Sequence, residues 1–99
     1  MKRIESMLNT GSAEFQANSR HNRHLADGLR RMQAAARHQR PERDLQRLAR
    51  QNKMFVRDRL QRLLDPGTPF LEFSTLAANM EYGGEVPGAA VVTGIGIVS

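Results

Sequence analysis

Residues 56–99 read VRDRLQRLLDPGTPFLEFSTLAANMEYGGEVPGAAVVTGIGIVS, and the order of elements within them decides how the chain folds. Val56, Leu60, Leu63 and Leu64 recur at steps that put them on one stripe of a helix, leaving Arg57, Arg59 and Arg62 largely on the other side. Pro66 disfavours helical geometry at the residue before it and Gly67 accepts a positive φ, so the helix is predicted to end at Asp65. Past Pro69, Phe70 to Phe73 reads as a short strand, Leu76 to Asn79 as a turn or short helix, and Tyr82-Gly83-Gly84 as a loop. Pro87-Gly88 then starts a last strand. From Ala89 to Val98 alternation places Val91, Thr93, Ile95 and Ile97 on one face and Ala90, Val92, Gly94, Gly96 and Val98 on the other. Two glycines on one strand face call for another backbone or side chain packed close against them. No other segment of the chain is expected to supply it.

Working back from this stretch, the preceding residues are charged and helical. Residues 1–11 lack periodicity and read as an arm ending in the Asn9-Thr10-Gly11 turn. Ser12 suits an N-cap, with Glu14 in the first turn where a carboxylate favours the positive end of a helix. Phe15, Asn18, Asn22, Leu25, Leu29, Met32 and Ala36 then trace one stripe to about His38. That stripe is narrow and partly polar, so the helix needs a partner surface. Pro41 suits the first position of a second helix, which carries Leu45, Leu48 and Ala49, and Asn52-Lys53 marks a break before the third.

Composition sharpens the division. All 15 Lys and Arg residues lie at or before Arg62, giving residues 1–64 a formal charge of +9, whereas the remainder carries only Asp65, Glu72, Glu81 and Glu85. The predicted organisation is therefore an arm over 1–11, a basic helical region over 12–65, and a β-containing segment over 66–99. A chain of 99 residues without Trp or Cys has little apolar material for a core of its own. At this size about 60–65% of the unfolded surface would be buried. Absence of Cys excludes disulfides and thiolate chemistry and fits a reducing compartment, with the cytoplasm as the default. The first residues lack the apolar run of a signal peptide.

Candidate chemistry is sparse. His21 and His24 are three apart on one helix, a spacing compatible with metal ligation, but no third ligand accompanies them and exposed polar residues are the preferred reading. Gly83-Gly84 precedes Glu85-Val86-Pro87 and not a helix N-terminus, so a plain turn is favoured over an anion cradle. No Ser/His/acid or Cys/His set is arranged for nucleophilic catalysis. The catalytic and metal assignments are none, and cofactor-binding residues stay unassigned.

Several motifs together resemble one known family. Arg57-Asp58-Arg59-Leu60, Leu63-Leu64-Asp65, Gly67, Phe70 and Glu72, followed by Gly83, Gly84, Val86 and Pro87 and then Gly94-Ile95-Gly96, are similar in order to the opening of the carboxyltransferase (β) subunits of biotin-dependent acyl-CoA carboxylases. The methylcrotonoyl-CoA and geranyl-CoA carboxylase branch resembles it most. Phe15, Asn18 and Asn22 match the same family loosely, and Val56 departs from it where a Pro is common. The resemblance implies an α+β fragment: N-terminal helices leading into the first strands of a crotonase-like carboxyltransferase domain. It implies transfer of a carboxyl group from carboxybiotin to an acyl-CoA such as 3-methylcrotonyl-CoA, as in leucine catabolism. Its implied partners are a biotin-carrying α subunit and further copies of the β subunit, with biotin borne by the α subunit and no cofactor on this fragment. The competing reading is a small basic helical module that binds nucleic acid or a partner protein; a terminal Gly-Ile-Gly strand has no use in such a module. Without aromatic interleaving or a base-reading motif, affinity for DNA is predicted to be weak, blind to sequence and steeply lost with salt. A footprint on a defined DNA sequence at about 0.15 M salt would contradict this.

Overall fold

The breaks read at Gly11, Pro41 and Asn52 each become a helix boundary. The computed structural model describes residues 1–99, with the elements in the order α1 (Ala13–His38), α2 (Glu42–Arg50), α3 (Val56–Leu63), β1 (Leu71–Phe73), a short 3₁₀ turn (Tyr82–Gly84) and β2 (Thr93–Ile95). The chain divides into two compact units, Met1–Arg31 and Met32–Ser99.

In the first unit Ser12 caps α1 as its sequence predicts: its Oγ accepts the Phe15 N–H at 3.1 Å and donates to the Asn9 carbonyl at 2.9 Å. Such a cap contributes about 1 kcal/mol. Leu25 is nevertheless 56% exposed and Leu29 46% exposed.

In the second unit the boundaries differ from expectation by small, explicable amounts. Pro41 is the N-cap of α2 and not its first residue, because its ψ of 136° is extended; its carbonyl accepts the first bonds of the helix, from Asp44 and Leu45. The C-terminus of α2 is a Schellman closure. Asn52 takes φ +52°, the Lys53 N–H reaches the Leu48 carbonyl at 2.9 Å, and the Asn52 N–H reaches that of Ala49 at 3.0 Å. Helix α3 ends at Leu63, two residues before the predicted Asp65, with Leu64 already extended at φ −79°, ψ 149°. Asp65 leaves the helical ladder because its N–H donates to the Ile97 carbonyl at 2.9 Å. Residues 65–68 then turn on Gly67 at φ +73°, with the Thr68 N–H closing onto the Asp65 carbonyl at 3.3 Å.

Strands β1 and β2 pair antiparallel, with Leu71 opposite Ile95, Glu72 opposite Gly94 and Phe73 opposite Thr93. The long strand expected over 89–98 shortens to three residues because Ala89 and Ala90, both at φ +57°, form a turn closed from Val91 N–H to the Gly88 carbonyl at 3.3 Å. The expectation that nothing in this chain could fill the small-residue face is overturned. The Phe70 ring and the Leu71 carbonyl lie over Gly94, and the Leu64 side chain lies over Gly96. On the other face Leu71, Phe73, Val91, Ile95 and Ile97 are all exposed. Only Ala36 and Ala78 are fully buried, at 1% and 5% exposure, so no sizeable core forms.

The two kinds of glycine make a paired prediction. A Cβ on Gly94 would sit 2.5 Å from the Leu71 oxygen and 2.6 Å from the Phe70 ring; Gly94→Ala is expected to destabilise by about 1–3 kcal/mol. Gly28, mid-helix with nothing within 4 Å, should gain about 0.5–1 kcal/mol as Gly28→Ala. Thermal unfolding of the two variants checks the opposite signs.

Candidate functional site

The one strongly organised polar cluster is built on Glu72. Because Leu71 and Phe73 take one face of β1, Glu72 points to the other, where its partner across the strands is Gly94. Its carboxylate is 5% exposed and receives Arg57 from α3 in a two-pronged contact, Nη1 to Oε2 and Nη2 to Oε1, both at 2.8 Å. Arg37, near the end of α1, adds its Nε to Oε2 at 3.3 Å. One carboxylate thus joins two helices to the sheet. Arg57 Nε is buried without a partner. The Arg57 hydrogen bonds hold the Glu72 carboxyl below its ordinary value of 4.5; burial opposes them, and the charge of Arg57 and the contacts of Arg37 add to the depression.

Arg40 forms a second node. Its guanidinium stacks over Phe55 at 5.4 Å from the ring centroid, and Nη1 donates to the Ala36 and Gln39 carbonyls at 2.9 and 2.6 Å, closing the end of α1. Burial, then the charge of Arg57, lower its pKa, partly offset by Asp44. Two clefts flank it. One of about 360 Å³ is bordered by Met32, Gln39, Asn79 and Pro87; another of about 310 Å³ runs between α2, the start of α3 and residues 86–92. Arg43 pairs with Glu85 across the chain.

The residues singled out in the sequence fare differently. His21 and His24 lie exposed on α1, and no group of three or more His, Cys, Asp or Glu side chains is placed to hold a metal. Tyr82, Gly83 and Gly84 take φ values of 51°, 67° and 76°, and the Gly84 N–H donates to the Glu81 carbonyl at 2.8 Å. That amide is consumed inside its turn and does not face outward as an oxyanion donor. The sequence reading had Glu72 within the family motif but assigned it no role, and it missed the Arg40–Phe55 stack. The available signal for Glu72 was an acid at the centre of an apolar alternation, opposite a glycine in the second strand.

Comparison with known proteins gives the chain its relatives. No protein-family profile matches it. It is 53% identical over 58 residues, 59% of this chain and 11% of the relative, to the biotin-dependent 3-methylcrotonyl-coenzyme A carboxylase beta1 subunit of Mycobacterium tuberculosis. It is 34% identical over 96 residues, 96% of this chain and 17% of the relative, to the probable mitochondrial methylcrotonoyl-CoA carboxylase beta chain of Drosophila melanogaster. The mitochondrial methylcrotonoyl-CoA carboxylase beta chain of Arabidopsis thaliana is 49% identical over 45 residues, 46% of this chain and 8% of the relative. The resemblance read from the sequence is therefore a true sequence relationship to the β chains of biotin-dependent carboxylases. The homologues matched are methylcrotonoyl-CoA carboxylase β chains, and the chain spans less than a fifth of their length.

The Glu72 cluster predicts an acid-sensitive fold. A carboxyl whose pKa is lowered on folding contributes stability that is complete above its unfolded value and is lost as pH falls through the folded one. Stability should therefore hold down to the ordinary value of 4.5 and fall below it. Glu72→Gln should cost about 2–4 kcal/mol at neutral pH, since it leaves Arg57 buried and unpaired. It should also flatten the acid dependence. Melting curves between about pH 3 and pH 7 on both proteins measure it.

Proposed function

We propose that this chain is the amino-terminal part of a carboxyltransferase β subunit that moves a carboxyl group from carboxybiotin to an acyl-CoA, 3-methylcrotonyl-CoA being the first candidate. The observation that carries this reading is the alignment along 96% of the chain with one methylcrotonoyl-CoA carboxylase beta chain, together with the 53% identity to another. The fold supports it. Leu71, Phe73, Val91, Ile95 and Ile97 form an exposed apolar sheet face carried by only two three-residue strands. Such a face suits the opening strands of a larger crotonase-like domain whose later segments complete it. The partners in this reading are a biotin-carrying α subunit, which brings the biotin, and other β subunits. No membrane role is assigned; no helix is long and apolar enough to cross a membrane. The cytoplasm is the proposed compartment, against the mitochondrial names of the Drosophila and Arabidopsis relatives.

Chemistry in this reading belongs to parts outside these residues. Carboxyl transfer needs preorganised donors for the charge that develops on the biotin ureido oxygen and on the thioester enolate. The Gly84 amide is closed within its own turn. Residues 1–99 alone are therefore predicted to be inactive with carboxylated biotin and 3-methylcrotonyl-CoA or geranyl-CoA, whereas a version extended to the length of the β-chain relatives should turn over. Activity of the short form would defeat the fragment reading, and inactivity of both would defeat the carboxyltransferase assignment.

A further inference from the structure

The 310 Å³ cleft is divided in character. Its lining is mostly apolar, with Leu45, Leu48, Met54, Phe55, Val86 and Val92 among it, and includes Arg40, Arg47 and Arg59 against the single acid Asp44. Asp44 is already paired with Arg47 at 3.2 Å, and Arg40 is directed to the Ala36 and Gln39 carbonyls. Arg59 enters none of the five ion pairs of the protein. The charge of Arg57 helps lower the pKa of Arg40, so positive potential already accumulates here. An anion at the mouth would relieve it, and a cleft at the small end of ligand sites, which run from about 300 to 1,000 Å³, admits only a compact body.

We propose that this cleft binds a small anionic amphiphile, one carboxylate or phosphate on a short apolar body, with the body against Leu48, Phe55 and Val92 and the anion on Arg59. The inference goes beyond the carboxyltransferase reading and does not depend on the sequence relationship. Apolar contact alone would hold an alcohol of the same length as well as the acid; the unpaired guanidinium is what distinguishes them.

The test is a titration of the 99-residue chain with octanoate, octyl phosphate and octanol, followed through backbone amide resonances. Octanoate and octyl phosphate should saturate one site and shift Leu48, Phe55 and Val92, and their relative affinities decide whether carboxylate or phosphate is the preferred head. Octanol should bind about tenfold more weakly, the loss expected for one charge-assisted contact. Arg59→Gln should weaken octanoate by about tenfold and leave octanol unchanged, while Arg59→Lys retains most of the binding and Arg62→Gln, elsewhere on α3, has no effect. Equal binding of octanol and octanoate, an equal effect of Arg62→Gln, or no saturable shift at millimolar ligand would each overturn the proposal.

Discussion

A single buried carboxylate holds the second unit together. Glu72 takes Arg57 from α3 and Arg37 from α1, so the two helices and the sheet share one electrostatic junction. This matters because hydrophobic burial is so limited here: only two alanines are fully buried, and alanine removes little apolar surface from water. Where burial is weak, the geometry of a two-pronged arginine contact fixes orientation that packing would otherwise fix. The arrangement is also exacting. Two arginines face one acid, and Arg57 keeps one buried N–H without a partner, so any change that removes the carboxylate leaves the Arg57 guanidinium desolvated.

How much of this was legible in the sequence follows from the range of the forces involved. Local chemistry was readable: Ser12 capping, the break at Asn52, the turn at Gly67 and the strand at 71–73 all depend on residues within a few positions of one another. The last strand was overextended because alternation over 89–98 carries no information about Ala89 and Ala90, which take positive φ in spite of their side chains. The clamp was not legible, since its partners lie 15 and 35 residues from Glu72 and only the folded chain brings them together. The packing over Gly94 and Gly96 was missed for the related reason that Phe70 and Leu64 lie 24 and 32 residues before the glycines they cover.

The distribution of apolar surface separates the two kinds of incompleteness in the molecule. Along α1, Leu25 and Leu29 stand exposed as isolated steps on a charged helix, and single exposed apolar residues of this sort are common on protein surfaces. The sheet is different, because Leu71, Phe73 and Ile95 are neighbours across paired strands and form one uncharged face. A contiguous apolar face is the unit that another layer of structure covers.

Asp65 has a consequence of another kind, for the order in which the chain can fold. Its carbonyl closes the local turn with Thr68, while its N–H binds Ile97 and its carboxylate binds both the N–H and the hydroxyl of Ser99 at 3.0 Å. The first contact joins near neighbours and forms quickly. The others span 32 and 34 residues and close a loop at an entropic cost of about 3 kcal/mol. During folding the helix end and its turn can exist before the last segment has arrived, and β2 can pair with β1 across the shorter span from Phe73 to Thr93 before Ser99 reaches Asp65. A preformed Asp65 turn thus acts as a waiting dock for the residues that follow β2.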